Sequence, residues 1–195
     1  VDKLLNGFQI EIIEIPDGEI HKTLTSCLNI WRCLSDLGAD RNSLIINLGG
    51  GVVTDLGGFV ASTFKRGLKF INIPTSLLAM VDASVGGKTG VDLDHSKNQV
   101  GTISFAEMVL IDTKFLETLP DEELRSGMAE MLKHGLILDR LYWEALKGLN
   151  SPKVSDLTPS IYRSVEIKND ENECSNSVYC TGDETYNNRS CVFIR

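Results

Sequence analysis

No apolar stretch in this 195-residue chain approaches the roughly 20 residues that a membrane-spanning helix needs, and no secretory leader is visible. Basic charge is also short. Nineteen Lys and Arg stand against 27 Asp and Glu, giving a formal net charge of −8. That balance argues against a nucleic-acid partner, because non-specific binding needs a basic surface. Five cysteines, an odd number with no paired C-x-x-C, argue against both a disulfide framework and a zinc ribbon. The expectation is a cytoplasmic chain with free thiols. Histidine is scarce: His21, His95 and His134 form neither H-x-x-H nor H-x-x-x-H, so spacing alone defines no metal site. Two nucleotide fingerprints are missing as well. G-x-G-x-x-G would need glycine where Thr54 stands, and G-x-x-x-x-G-K-[ST] would need its first glycine at Asp82.

What is present is an ordinary globular composition, 42% hydrophobic and 24% charged, enough for one domain or one domain and part of another. Its centre is Leu44-Ile45-Ile46-Asn47-Leu48, a buried-strand pattern that stops at Gly49-Gly50-Gly51 and passes directly into a helix. Glycines there permit positive φ and let a ligand approach the backbone. The amides opening the helix then favour an anion. A tight strand-to-helix turn would use the same residues, but three adjacent glycines with Gly57 and Gly58 beyond them favour a phosphate or dinucleotide cradle.

Around this centre the elements alternate. Residues 9–15 predict a strand, Pro16-Asp17-Gly18-Glu19 a turn, and Ile20–Leu37 a helix stopped by Gly38. The helix after the glycines should reach about Lys65. Leu68–Ile73 predicts another strand, with Thr75-Ser76 capping a short helix through Met80. This is the rhythm of a parallel α/β sheet, whose ligands sit at the carboxyl ends of the strands. Residues 82–101 are polar, glycine-rich and expected to be irregular, which in a compact domain points to function or disorder. Met108–Asp112 is a further strand candidate. After Thr118, which with Asp121 resembles a capping box, the text turns helical: about Glu122–Leu138, Leu141–Leu149 and Val154–Lys168. The chain is therefore expected to divide into an α/β unit over 1–118, a partial helical unit over 119–170, and an irregular tail over 171–195.

By chemistry alone, several residues stay open. Lys88, between Gly87 and Thr89, is placed to help backbone amides hold a phosphate or carboxylate. Arg66 could simply satisfy a helix dipole. Asp55 could cap or meet a ribose hydroxyl. Glu130, sharing a helix face with Gly127 and His134, could be a surface glutamate or a metal ligand.

The runs Gly49–Ala61, Lys65-Arg66-Gly67, Ile73–Gly90, Lys97-Asn98-Gln99-Val100-Gly101, Thr118-Leu119-Pro120 and Gly127–Gly135 strongly resemble 3-dehydroquinate synthase, spacing included, over about Ile15–Asp170. The resemblance implies a Rossmann-like NAD-binding domain followed by an all-helical metal and substrate domain. It implies catalytic NAD, a divalent metal (zinc or cobalt), a homodimer, and conversion of 3-deoxy-D-arabino-heptulosonate 7-phosphate into 3-dehydroquinate and phosphate. Carried over by position, Glu19, Lys22, Gly50, Gly51, Asp55, Thr75, Ser76, Asp82 and Lys97 match cofactor contacts. Arg66, Asp82, Lys88, Asn98 and Lys133 match substrate contacts, Arg66 reaching the partner subunit's site. Lys88, Lys97, Asn98 and Lys133 match catalytic groups, and Glu130 the first metal ligand.

The resemblance also implies two later histidine ligands, yet no histidine follows His134, and the family pattern stops at Asp170. Weak or absent synthase activity in this chain is the resulting expectation. The alternatives are another sugar-phosphate cyclase, a glycerol-type dehydrogenase, or a non-catalytic protein binding nucleotide or a partner subunit.

Overall fold

The structure, a computed structural model, describes residues 10–149, 154–171, 178–179 and 191–194. Strands β1 (Ile10–Ile13), β2 (Leu44–Gly49) and β3 (Lys69–Pro74) alternate with helices α1 (Leu24–Asp36) and α2 (Gly51–Thr63). The hairpin β4 (Lys88–Leu93) and β5 (Ser96–Ile103) follows, then strand β6 (Met108–Leu110) and helices α3 (Asp121–Leu138), α4 (Arg140–Lys147) and α5 (Val154–Glu171). Short strands β7 (Val178–Tyr179) and β8 (Cys191–Ile194) complete the described elements. The main sheet is parallel, in the order β1-β8-β2-β3-β6-β7. This is the α/β, Rossmann-like architecture that the alternating text predicts. Among the described residues no helix is long and apolar enough to cross a membrane.

Strand β2 explains why the sheet is covered on both faces: Leu44, Ile45, Ile46 and Asn47 are all buried. A buried amide needs a partner, and Asn47 Nδ2 donates to Asn72 Oδ1 at 2.9 Å from the residue paired with it on β3. The same register sets Gly49 beside Pro74, and the Thr75 amide donates to the Gly49 carbonyl at 2.9 Å. Both turns thus open at one end of the sheet, as expected.

Helix α1 begins later than its apolar spacing suggests. Glu19–His21 forms a separate 3-10 turn, and Thr23 is the N-cap, its Oγ1 accepting from the Ser26 amide. Helix α2 likewise ends at Thr63, two residues short of the expected limit.

The stretch 82–101 is corrected. Most of it folds as the antiparallel hairpin β4–β5. Its glycines conceal it in the sequence, because Gly90 and Gly101 lie directly opposite each other. A Cβ on Gly101 would stand 2.2 Å from the Thr89 carbonyl oxygen, so the pair needs residues without side chains.

The capping box at Thr118 does not form either. Pro120 is the N-cap of α3 and makes no side-chain cap, while Thr118 Oγ1 donates to the Phe115 carbonyl. Asp121, Glu122 and Glu123 occupy the first turn and suit the positive end of the helix dipole.

The tail is regular where it is described. β8 pairs parallel with both β1 and β2, and β7 with β6. Cys191-Val192-Phe193-Ile194 is the apolar, β-branched and aromatic run that strands favour. Its brevity within a polar segment hid it, and the rest of the expected irregular tail lies outside the described residues.

Two cores hold these elements. One joins α1, α2, the sheet and the hairpin through Cys27, Leu34, Ile45, Leu56, Phe70 and Val91. The other joins Leu77, Met80 and Val109 to Met131, Leu157 and Ile161, so it draws on residues from both sides of position 118.

Candidate functional site

Gly50 is the N-cap of α2 in extended backbone (φ −75°, ψ −170°), with no side chain capping the helix. None of Gly49, Gly50 and Gly51 takes a positive φ, so the expectation of left-handed backbone there is corrected. What these glycines supply is room. A Cβ on Gly50 would lie 3.4 Å from Ser76 Oγ, and one on Gly51 would lie 3.4 Å from Ala83 Cβ. Amides at a 13-residue helix start, an uncapped turn and neighbouring hydroxyls form a cradle that fits an anion such as a pyrophosphate.

Beside this turn lies a cleft of about 630 Å³, a size suited to a small ligand. Of the residues singled out in the sequence, Asp55, Asp82, Lys88, Asn98 and Lys133 line it. Lys168, from α5, lines it too, and the site reading of the sequence missed it.

Lys22 does not line the cleft but sits beneath it, buried, with Nζ 2.5 Å from Asp55 Oδ2 and 2.6 Å from Asn98 Oδ1. One ammonium thus ties the start of α1 to α2 and the hairpin. Asn98 is held in a left-handed turn (φ 53°), its amide donating to Asp92 Oδ1 at 2.7 Å. Burial pushes the Asp55 carboxyl up from its ordinary range, and the Lys22 charge and hydrogen bond oppose that push.

Lys97 and Glu19 come together 2.5 Å apart, exposed and outside the cleft lining. The hydrogen bond and charge of Glu19 raise the Lys97 ammonium. Thr75 and Ser76 follow β3 next to the glycine turn, and Ser76 Oγ accepts from the Ala79 amide at 3.4 Å. Arg66 is exposed at φ 71°, after Lys65 at φ 48°, and is not brought to the cleft.

The far end of the cleft is built by three elements. Asp82 lies on the π-helical turn Ala79–Ala83, Glu130 and His134 on α3, and Lys168 on α5. Helix α3 reaches the turn because Gly127 has no side chain: a Cβ there would stand 2.5 Å from Leu77 Cβ and 2.7 Å from the Leu78 nitrogen. Lys168 Nζ pairs with Asp82 Oδ1 at 2.7 Å, and Lys133 pairs with Glu130.

His134 is 1% exposed, with Nε2 3.3 Å from Glu130 Oε1 and Nδ1 3.2 Å from Ser164 Oγ. Burial lowers its pKa, against the raising effect of the Glu130 charge. Its Nε2 has no hydrogen-bond partner among the described residues. One donor atom from each of Asp82, Glu130 and His134 lies within 4.8 Å of the others. Two carboxylates and an imidazole are a donor set that fits zinc or cobalt. The sequence placed Glu130 and His134 on one face but gave no signal that Asp82 would meet them.

The family model for the 3-dehydroquinate synthase N-terminal region matches residues 12–126. The chain is 48% identical over 164 residues to the 3-dehydroquinate synthase of Latilactobacillus sakei subsp. sakei (strain 23K), covering 83% of this chain and 46% of that protein. It is 46% identical over 165 residues to the 3-dehydroquinate synthase of Pyrococcus furiosus (strain ATCC 43587 / DSM 3638 / JCM 8422 / Vc1), covering 84% and 49%. Among solved structures, ValA, a 2-epi-5-epi-valiolone synthase from Streptomyces hygroscopicus subsp. jinggangensis 5008 with NAD+ and Zn2+ bound, matches with a TM-score of 0.80 and 27% identity. That match covers 88% of this chain and 57% of the other. The chain spans about half the length of the curated relatives it matches. With the cradle, the cleft and the cation corner in one α/β frame, the matched residues assign it: the chain belongs to the 3-dehydroquinate synthase family.

Proposed function

We propose that this chain provides the nucleotide-binding part, and the beginning of the metal- and substrate-binding part, of a 3-dehydroquinate synthase. The reaction releases phosphate from 3-deoxy-D-arabino-heptulosonate 7-phosphate and closes the ring of 3-dehydroquinate, with catalytic NAD and a divalent cation. One observation carries the reading: the uncapped glycine turn opens beside a cleft lined by Asp55, Asp82, Lys88, Asn98 and Lys133. When bound, NAD supplies a hydride acceptor that returns the hydride later, and the cation supplies Lewis acidity.

The chain's own residues do the rest. The Gly50 and Gly51 backbone holds the pyrophosphate, with Thr75 and Ser76 alongside. Asp55, fixed by Lys22, accepts from a ribose hydroxyl, and Glu19 and Lys97 close over the nucleotide from the exposed side. Lys88, Asn98 and Lys133 orient the substrate phosphate and carboxylate, which are polyanionic and suit clustered ammonium groups in an acidic protein. Asp82 stands between nicotinamide and substrate, and Glu130 binds the cation. Arg66 is exposed away from the cleft and serves the partner's site in a homodimer. A cytoplasmic location accords with the exposed thiol of Cys33.

Calorimetry with NAD tests the cradle: Asp55→Ala, which loses one good polar contact, and Gly50→Ala, which puts a Cβ in the cradle, should each weaken binding by about tenfold. Equal heats from all variants would remove the argument. Phosphate release with substrate, NAD and zinc tests the reaction, with weak turnover expected of the 195-residue chain. Turnover equal to that of a full-length synthase overturns that expectation.

A second reading is that the chain binds nucleotide or a partner without catalysing. Leu136, Ile137, Leu138 and Leu141 favour it, being 52–84% exposed at the α3–α4 junction, where a protein surface could cover them. Self-association in size-exclusion chromatography fits both readings, whereas NAD binding with no turnover at all supports this one over the first, which expects weak turnover.

A further inference from the structure

We propose that Lys22 is a positioning residue that couples the two ligands of the cleft, its one ammonium setting Asp55 toward the nucleotide and Asn98 toward the anionic substrate. This rests on the reading above that Asp55 meets the ribose and Asn98 the substrate.

Lys22 is 5% exposed and does not line the cleft, so it acts on a ligand only through the groups it holds. It holds two. Its Nζ lies 2.5 Å from Asp55 Oδ2 and 2.6 Å from Asn98 Oδ1, on residues 33 and 76 positions away in the chain. An ammonium can only donate, which decides the polarity of both partners. The Asn98 amide turns its oxygen down to Lys22 and so presents its Nδ2 protons on the other side, toward the cleft that Asn98 lines. Asp55 gives Oδ2 to the ammonium and keeps Oδ1 to accept from the cleft. The first polarity suits a phosphate or carboxylate, the second a hydroxyl. Without Lys22 the amide is free to flip and set its oxygen against an anion, a repulsive contact.

A second tether separates orientation from mere attachment. The Asp92 amide donates to the Lys22 carbonyl at 2.8 Å, and Asp92 Oδ1 accepts from the Asn98 amide at 2.7 Å. The hairpin is therefore held to the start of α1 by contacts that do not involve the Lys22 side chain. What the ammonium adds is the setting of Asp55 and Asn98 relative to each other. With both ligands present, hydroxyl, carboxylate, ammonium, amide and anion form one chain of hydrogen bonds, and bonds in such a chain polarise one another. A ribose hydroxyl donating to Asp55 draws carboxylate charge away from Lys22. The ammonium then polarises the Asn98 amide more, and Nδ2 becomes a stronger donor. Each ligand tightens the other, by the same factor in both directions.

The test uses the 195-residue chain with zinc chloride and NADH, which cannot accept a hydride, so the substrate binds without turning over. NADH affinity, read by its fluorescence, is measured with and without 3-deoxy-D-arabino-heptulosonate 7-phosphate. The substrate should tighten NADH binding by roughly fivefold or more, and in Lys22→Met that factor should fall to about one. A merely structural lysine, when removed, would lower both affinities and leave the coupling factor unchanged. Asn98→Asp keeps a partner for Lys22 but has no amide protons. It should weaken substrate binding by roughly tenfold or more while NADH binding alone persists. Where Lys22→Met fails to fold, side-chain 15N-lysine spectra of the unaltered chain decide: the buried Lys22 ammonium signal should move with either ligand alone. A coupling factor of one in the unaltered chain, the same factor in Lys22→Met, or a Lys22 signal that follows NADH but not the substrate overturns this inference and leaves the reading above intact. Absence of NADH or substrate binding overturns both.

Discussion

At the Gly49–Gly51 turn the helix opens with backbone amides and no side-chain cap, whereas at the far end of the cleft Asp82, Glu130, Lys133, His134 and Lys168 face one another from three elements. The first end depends on local backbone and on empty space where side chains would be. The second depends on packing that brings separate helices to a π-helical turn. A site of the first kind should tolerate changes in stability and pH but not an added Cβ. A site of the second kind should fail whenever its supports shift.

The largest effect is expected where the two kinds meet. Lys22→Met leaves Asp55 buried without its cation, and breaking such a pair costs about 3–5 kcal/mol. Burial already pushes the Asp55 carboxyl up, and removing Lys22 takes away the opposing charge. The penalty is therefore full at neutral and higher pH, and it shrinks as pH falls through the raised Asp55 value, where the acid becomes neutral. Urea unfolding at several pH values measures this. A loss independent of pH would separate Asp55 from Lys22 and weaken the comparison.

Next is Gly127→Ala. The added Cβ meets the Leu78 backbone, so α3 must withdraw from the π-helical turn. A loss of about 2–3 kcal/mol is expected, with weakened zinc affinity but nucleotide binding largely kept. Equal loss of both ligands would show that the two ends are not separately supported.

Ser164 Oγ lies 3.2 Å from His134 Nδ1 and 2.8 Å from Tyr142 Oη, so this support behind His134 can be tested by pH. Burial pushes the Tyr142 hydroxyl up to about 12. A raised acid stabilises the fold fully below the unfolded value of 10, and that contribution is lost as pH rises toward 12. Stability should fall by roughly 2–3 kcal/mol across this window, and the fall should be smaller in Tyr142→Phe.

Smaller still is Gly50→Ala. The backbone there is extended, and the new Cβ has room beside Ser76 Oγ, so stability should drop by less than about 1 kcal/mol. NAD affinity should nonetheless fall about tenfold, because the Cβ occupies the cradle. Lys97→Met is the mildest for the fold: its pair with Glu19 is exposed and screened by solvent, so the thermal unfolding midpoint should stay where it is.

These contrasts explain what could be read in advance. The β2–glycine–α2 unit was legible because a strand, a turn and a helix start are set by residues a few positions apart. The hairpin β4–β5 was not, since Gly90 and Gly101 erase the usual strand pattern and acquire meaning only when paired. Arg66, Lys97 and Glu19 were named from the words around them, yet they stand outside the cleft lining. Lys168 was overlooked because its partner Asp82 lies in another element far away in the chain.

The sequence by itself determined the alternating α/β order, the glycine cradle at the end of β2, and the helix face shared by Glu130 and His134, all of them consequences of short-range spacing. Tertiary structure alone decided that β8 lies between β1 and β2, that Lys22 is buried under Asp55 and Asn98, and that Asp82 meets Glu130 and His134. It also decided which nitrogen of His134 faces Glu130, through Ser164 and Tyr142 on neighbouring helices. The physical reason is one of range: backbone geometry is fixed between near neighbours, whereas charges converge only after separate elements have packed.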